Sequence, residues 1–128
     1  MTTKLQTKLH HSIGPHTHGI IDYASVIMLA VAPRVTGFNG KPAMICYTLA
    51  AVHLALTLLT RFPLGAFKVI GFPLHGAIEF IVSLLLIVLP WLANFSKGVL
   101  NTRFFVAFGL LLFVIWLLTD YRGRRTKG

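Results

Sequence analysis

Four apolar stretches, roughly 19–38, 43–60, 74–93 and 104–119, restrict the fold of this chain more than anything else in it. Each approaches the ~20 residues that cross ~30 Å of hydrocarbon at about 1.5 Å per helical residue. Backbone amides in lipid must be satisfied internally, so runs of this length predict helices. Turn-forming residues punctuate them: Pro33 with Gly37, Gly40 and Pro42; Pro63, Gly65, Gly71 and Pro73; Pro90 and Gly98. Only 12% of the 128 residues are charged and 55% are apolar, whereas about a quarter of an ordinary soluble domain is charged. The expected fold is therefore all-α, a four-helix transmembrane bundle in a single membrane domain.

The net charge of +9 does not indicate nucleic acid, because the basic residues lie between the spans and not in a stripe interleaved with aromatics. Lipid headgroups are the expected counterpart, and the bilayer the expected partner. With four spans, both termini and the middle loop share one side, which holds Lys4, Lys8, Arg61, Lys68, Arg122, Arg124, Arg125 and Lys127. The other side holds Arg34, Lys41, Lys97 and Arg103. This bias predicts cytoplasmic termini in a bacterial-type inner membrane. Lys4 and Lys8, an apolar run and Ala30-Val31-Ala32 mimic a signal peptide, but Asp22 interrupts the run and favours a retained span. Leu5, Leu9 and Ile13 beside Lys4 and Lys8 fit either a short surface helix or a loose tail. The one cysteine, Cys46, has no partner for an internal disulfide.

The chain is also a tandem repeat. HGIIDYASVIMLAVAPRVTGF from His18 aligns without gaps to HGAIEFIVSLLLIVLPWLANF from His75, an offset of 57. LLTRFPLG from Leu58 matches LLTDYRGR from Leu117, an offset of 59. The predicted organisation is an N-terminal cytoplasmic segment 1–17, a first repeat 18–62, a cytoplasmic loop 63–73, a second repeat 74–121 and a basic tail 122–128. An even number of spans per unit makes both enter the membrane in the same sense, related by a pseudo-two-fold axis along the membrane normal. Two-span units with Leu89-Pro90-Trp91 near the end of a first helix resemble the SPW-repeat membrane proteins. In the first unit Ala32-Pro33-Arg34 lacks the tryptophan, and Leu89 stands in place of the serine. The resemblance implies a tandem two-helix architecture and no established activity.

The polar residues that remain fall in register. His18 and Asp22, and His75 and Glu79, are four apart and share helical faces near the ends of spans one and three. Thr60 and Arg61, with Thr119 and Asp120, reach the same level from spans two and four. All three acidic residues thus join two histidines in one layer. His53 lies deeper, on a stripe with Thr57 and Thr60, and its counterparts Leu112 and Trp116 are apolar, which predicts one asymmetric pocket. A purely structural reading has Asp22–Arg61 and Glu79–Arg122 ion pairs stapling the helices. His10, His11 and His16, with His18, form a histidine-rich tract that offers a weaker transition-metal site of neutral imidazoles, but its spacing matches no fixed motif and a solvated tail is the competing reading.

Three readings compete. In the first, His18, His75 and His53, with Asp22 and Glu79 as ligands or orienting partners, bind a cofactor: haem, or a transition-metal ion such as zinc or iron. His53 sits more than a turn below the other two, so a single ion held by all three requires tilted helices. In the second, His53, Asp22, Glu79 and Arg61 handle protons or a small solute. In the third, the cluster locks a non-catalytic scaffold or accessory subunit, in a homo-oligomer or with a membrane partner. No P-loop, dinucleotide fingerprint, HExxH or nucleophile elbow is present, so an enzyme is the least supported reading.

Overall fold

The computed structural model describes residues 12–122 and contains four helices. These are α1 (Pro15–Thr36), α2 (Gly40–Leu59), α3 (Phe72–Leu92) and α4 (Val99–Leu118). All four are long and apolar enough to cross a membrane. Their ends follow from local chemistry. Pro15 and Pro73 sit in the first turns of α1 and α3, where a missing N–H costs nothing. Gly37 closes α1 in the left-handed conformation, at φ 79°. Pro33 and Pro90 fall in the last turns of their helices.

Polarity is inverted relative to a soluble bundle. Val35, Ile27, Ile81 and Leu92 stand exposed at 80%, 64%, 63% and 65%, while His18, His75, Ser83 and Asp120 are wholly buried. The three carboxylates of the chain, Asp22, Glu79 and Asp120, are all buried. Only an apolar solvent makes this arrangement favourable, so the chain is an integral membrane protein.

The closest helix packing is within each hairpin, α1 with α2 and α3 with α4. The hairpins then close on each other reciprocally. Ile70 N–H donates to Leu59 O and Arg61 N–H to Ile70 O. At the equivalent place, Ile13 N–H donates to Leu118 O and Asp120 N–H to Ile13 O. The end of each unit therefore pairs with the start of the other. The repeat accordingly begins five residues before His18: Ile13-Gly14 matches Ile70-Gly71 at the same offset of 57.

The two ends of the bundle differ. The end opposite the termini is filled by apolar residues, with Phe105 wholly buried against Phe38, Phe95 and Phe104. Phe38 and Phe95 are again repeat equivalents. The terminal end holds the polar layer. Aromatic rings reach it because glycine lets them approach: a Cβ on Gly19 would lie 2.7 Å from the Phe62 ring, and one on Gly76 2.9 Å from Tyr121. Gly109 is equally tight, since its Cβ would lie 2.8 Å from Ser83 O and from Ile87 Cγ1. Gly109→Val should therefore lower stability by about 1–3 kcal/mol through overpacking. Val114→Ala, on the exposed face of α4, should change little; thermal unfolding in detergent compares the two.

Candidate metal centre

Four side chains meet inside the terminal end of the bundle. His18 and Asp22 come from α1, His75 and Glu79 from α3, and all are between 0% and 4% exposed. The i, i+4 spacing places each imidazole directly over the carboxylate of its own helix. The two-fold relation then brings the two pairs face to face. His18 Nε2 lies 3.2 Å from Asp22 Oδ1 and 3.0 Å from Glu79 Oε2. His75 Nε2 lies 3.1 Å from Asp22 Oδ2 and 3.1 Å from Glu79 Oε1. One donor atom from each residue falls within 4.8 Å of all the others.

The other ring nitrogen shows which side of each ring donates to the neighbouring helix. Thr60 Oγ1 donates its single proton to Leu56 O at 2.6 Å, and Thr119 Oγ1 donates to Ile115 O at 2.6 Å. Each hydroxyl can then only accept from the histidine beside it. His75 Nδ1–H donates to Thr60 at 2.7 Å, and His18 Nδ1–H to Thr119 at 2.9 Å. A neutral imidazole protonated at Nδ1 presents a bare lone pair at Nε2. In that neutral form both lone pairs are aimed among carboxylate oxygens, which are also acceptors; a shared cation, or a second proton on each ring, reconciles them. The threonines also cross between repeats: α2 orients the histidine of α3, and α4 that of α1.

None of these Nε2–carboxylate approaches has the directionality of a hydrogen bond; His18 Nε2, His75 Nε2, Asp22 Oδ2 and Glu79 Oε1 are left without one. Four donor atoms gathered this closely are what a coordinated cation requires. Ligands about 2.0–2.1 Å from a tetrahedral ion stand about 3.3 Å apart; the imidazole–carboxylate approaches of 3.0–3.2 Å are near this but use both oxygens of each carboxylate, and one atom from each residue spans up to 4.8 Å.

The periphery breaks the two-fold symmetry. Tyr121 donates to Glu79 Oε2 at 2.8 Å, whereas its counterpart Phe62 has no hydroxyl. Burial, and then the neighbouring Glu79 carboxylate, push the Tyr121 phenol above its ordinary range, so it remains a donor. On the other carboxylate, His53 Nε2 comes to 3.6 Å from Asp22 Oδ1. His53 is therefore nearer the cluster than its sequence depth suggests, yet it falls outside the four-ligand group. Phe72 packs edge-on to His18 and tilted against His75, with Tyr121 and Phe62 beside it, and the three rings cover the terminal side of the centre.

Several sequence expectations change. Arg61 is exposed and donates to Lys68 O, so it belongs to no polar layer. Arg122 is exposed as well, and the described residues contain neither the Asp22–Arg61 nor the Glu79–Arg122 pair; the carboxylates face histidines. Thr57 is buried but spends its hydroxyl on His53 O, within its own helix. Asp120 is buried beside the pairing segment of Ile13. His16 is exposed on the first turn of α1, away from the cluster, and His10 and His11 lie outside the described residues. Haem does not fit: both Nε2 atoms share the same two carboxylates at 3.0–3.2 Å, leaving no slot for a porphyrin. Phe62, Phe72 and Tyr121 were not singled out as site residues; the repeated glycine after each histidine was the available signal.

No protein-family model, curated protein or solved structure matches the chain.

With a cation or protonated imidazoles balancing the two carboxylates, removing one carboxylate leaves buried positive charge uncompensated. Asp22→Ala should cost about 3–5 kcal/mol on that ground, whereas Arg61→Ala should leave the unfolding midpoint unchanged. Denaturation in matched detergent micelles separates them.

Proposed function

We propose that this small integral membrane protein binds one divalent transition-metal ion through His18, Asp22, His75 and Glu79. The observation that carries the reading is the pair of threonine-locked imidazoles, which leaves two Nε2 lone pairs facing two carboxylates. A divalent cation converts that opposition into coordination. It also brings the set to zero net charge, since two carboxylates offset two positive charges and both imidazoles are neutral. Neutrality matters at this depth, where each unpaired ion costs several kcal/mol. Two nitrogens and two oxygens suit zinc, iron, manganese or cobalt, and the absence of thiolate disfavours softer ions. The charge bias of the loops supports a cytoplasmic position for the end that carries the centre, in a bacterial-type inner membrane. The tandem two-helix resemblance bears on architecture alone.

Elemental analysis of detergent-purified protein should give one such ion per chain, and His18→Ala or His75→Ala should abolish it. Metal-supplemented protein that stays metal-free would refute the reading and leave the cluster as a scaffold. Thr60→Val and Thr119→Val remove the groups that orient the rings, and each should weaken affinity roughly 10–100-fold. Thr57→Val, whose hydroxyl serves only its own helix, should not; competition with a chelator measures all three.

A further inference from the structure

A cavity of about 40 Å³ lies next to the four-residue centre on its membrane-interior side. Its walls include three repeat-equivalent pairs, Leu29 with Leu86, Leu49 with Phe108 and His53 with Leu112. A space walled by equivalent pairs straddles the pseudo-two-fold axis, and the centre straddles the same axis. Glu79 belongs to both, and its Oε1 is buried without a hydrogen bond. His53 supplies the other polar wall, and its Nε2 is likewise without one. Symmetry is broken here in a useful way: one wall can meet a ligand with a nitrogen, and the opposite wall is leucine.

The cavity adjoins a larger groove. Leu49, Val82 and Leu86 line both this space and one of about 370 Å³ between α2 and α3. The groove reaches the lipid-facing surface at Met44 and Leu85, exposed at 63% and 48%. The terminal side of the centre is covered by Phe62, Phe72 and Tyr121, so the route with room in it runs from the hydrocarbon.

The geometry points to an exchangeable coordination position on the axis, facing His53, that takes a small uncharged ligand of two or three heavy atoms arriving from the bilayer. This rests on the metal-ion reading above. Four-coordinate ions of this kind expand to five, and the cavity is where a fifth ligand finds space. Size sets the class. One water needs about 10–15 Å³ and a benzene ring about 150 Å³, so 40 Å³ admits a diatomic or triatomic molecule and no ring. The wall chemistry sets the charge: an anion or hydrated ion pays desolvation along an apolar groove, and a gas dissolved in lipid does not.

Nitric oxide on the iron(II)-loaded full chain, in anaerobic detergent or nanodiscs, is the test. With one iron per chain established first, nitric oxide should give a stoichiometric iron–nitrosyl EPR signal that equal azide does not suppress. Leu112→Phe narrows the cavity and Val82→Phe the junction with the groove. Either variant that retains iron should slow adduct formation by about tenfold or more. Iron-loaded wild type giving no adduct, azide suppressing it, or wild-type rates in both iron-retaining variants would overturn the inference while leaving the centre intact. Failure to load any metal removes the centre itself, and this inference with it.

Discussion

Everything at the terminal end of this bundle depends on two imidazoles and two carboxylates facing one another in lipid. Histidine alone would turn its protonated nitrogen toward a carboxylate and finish with an ordinary hydrogen bond. Here each Nδ1–H is committed to a threonine and each threonine proton to its own helix, so a neutral ring has no proton left for the carboxylates. The hydroxyl can therefore only receive. What remains is two Nε2 positions and two carboxylates, buried from water, which a shared cation or a proton on each Nε2 joins.

The same bonds explain why the helices sit where they do. His18 is held by Thr119 and His75 by Thr60, so neither hairpin can complete its half of the centre. The backbone pairings of Ile13 with Thr119 and Ile70 with Thr60 repeat that exchange outside the helices. Glycines 19 and 76 let the covering aromatics lie against α1 and α3. The apolar far end, built round Phe105, supplies packing without direction. Orientation comes from the polar end.

Most of the architecture was legible in the sequence. The apolar runs gave four spans, the repeat gave their common direction, and i, i+4 spacing paired His18 with Asp22 and His75 with Glu79. The convergence of those pairs followed from topology. The choice of partners did not, because sequence spacing says which residues share a level and not which way a side chain turns. Arg61 shares the level of Thr60, yet its long chain leaves for the surface while the threonine stays inside. His53 looked too deep by residue count, and an imidazole reaching toward a carboxylate one turn up its neighbour closes that gap. The threonines were visible only as supporting groups. Their role depends on an i−4 hydroxyl bond, which sequence does not report.

The crosswise exchange between the halves has a consequence for how such a chain can vary. Two separate copies of one hairpin could build the same four-residue girdle, but each change in one would appear in both, on either side of the axis. Joining the copies in one polypeptide lifts that restriction. A histidine can then stand opposite a leucine, a tyrosine opposite a phenylalanine and an aspartate opposite a glutamate, with the girdle itself untouched. Covalent linkage thus lets a centre held by symmetry acquire a front and a back.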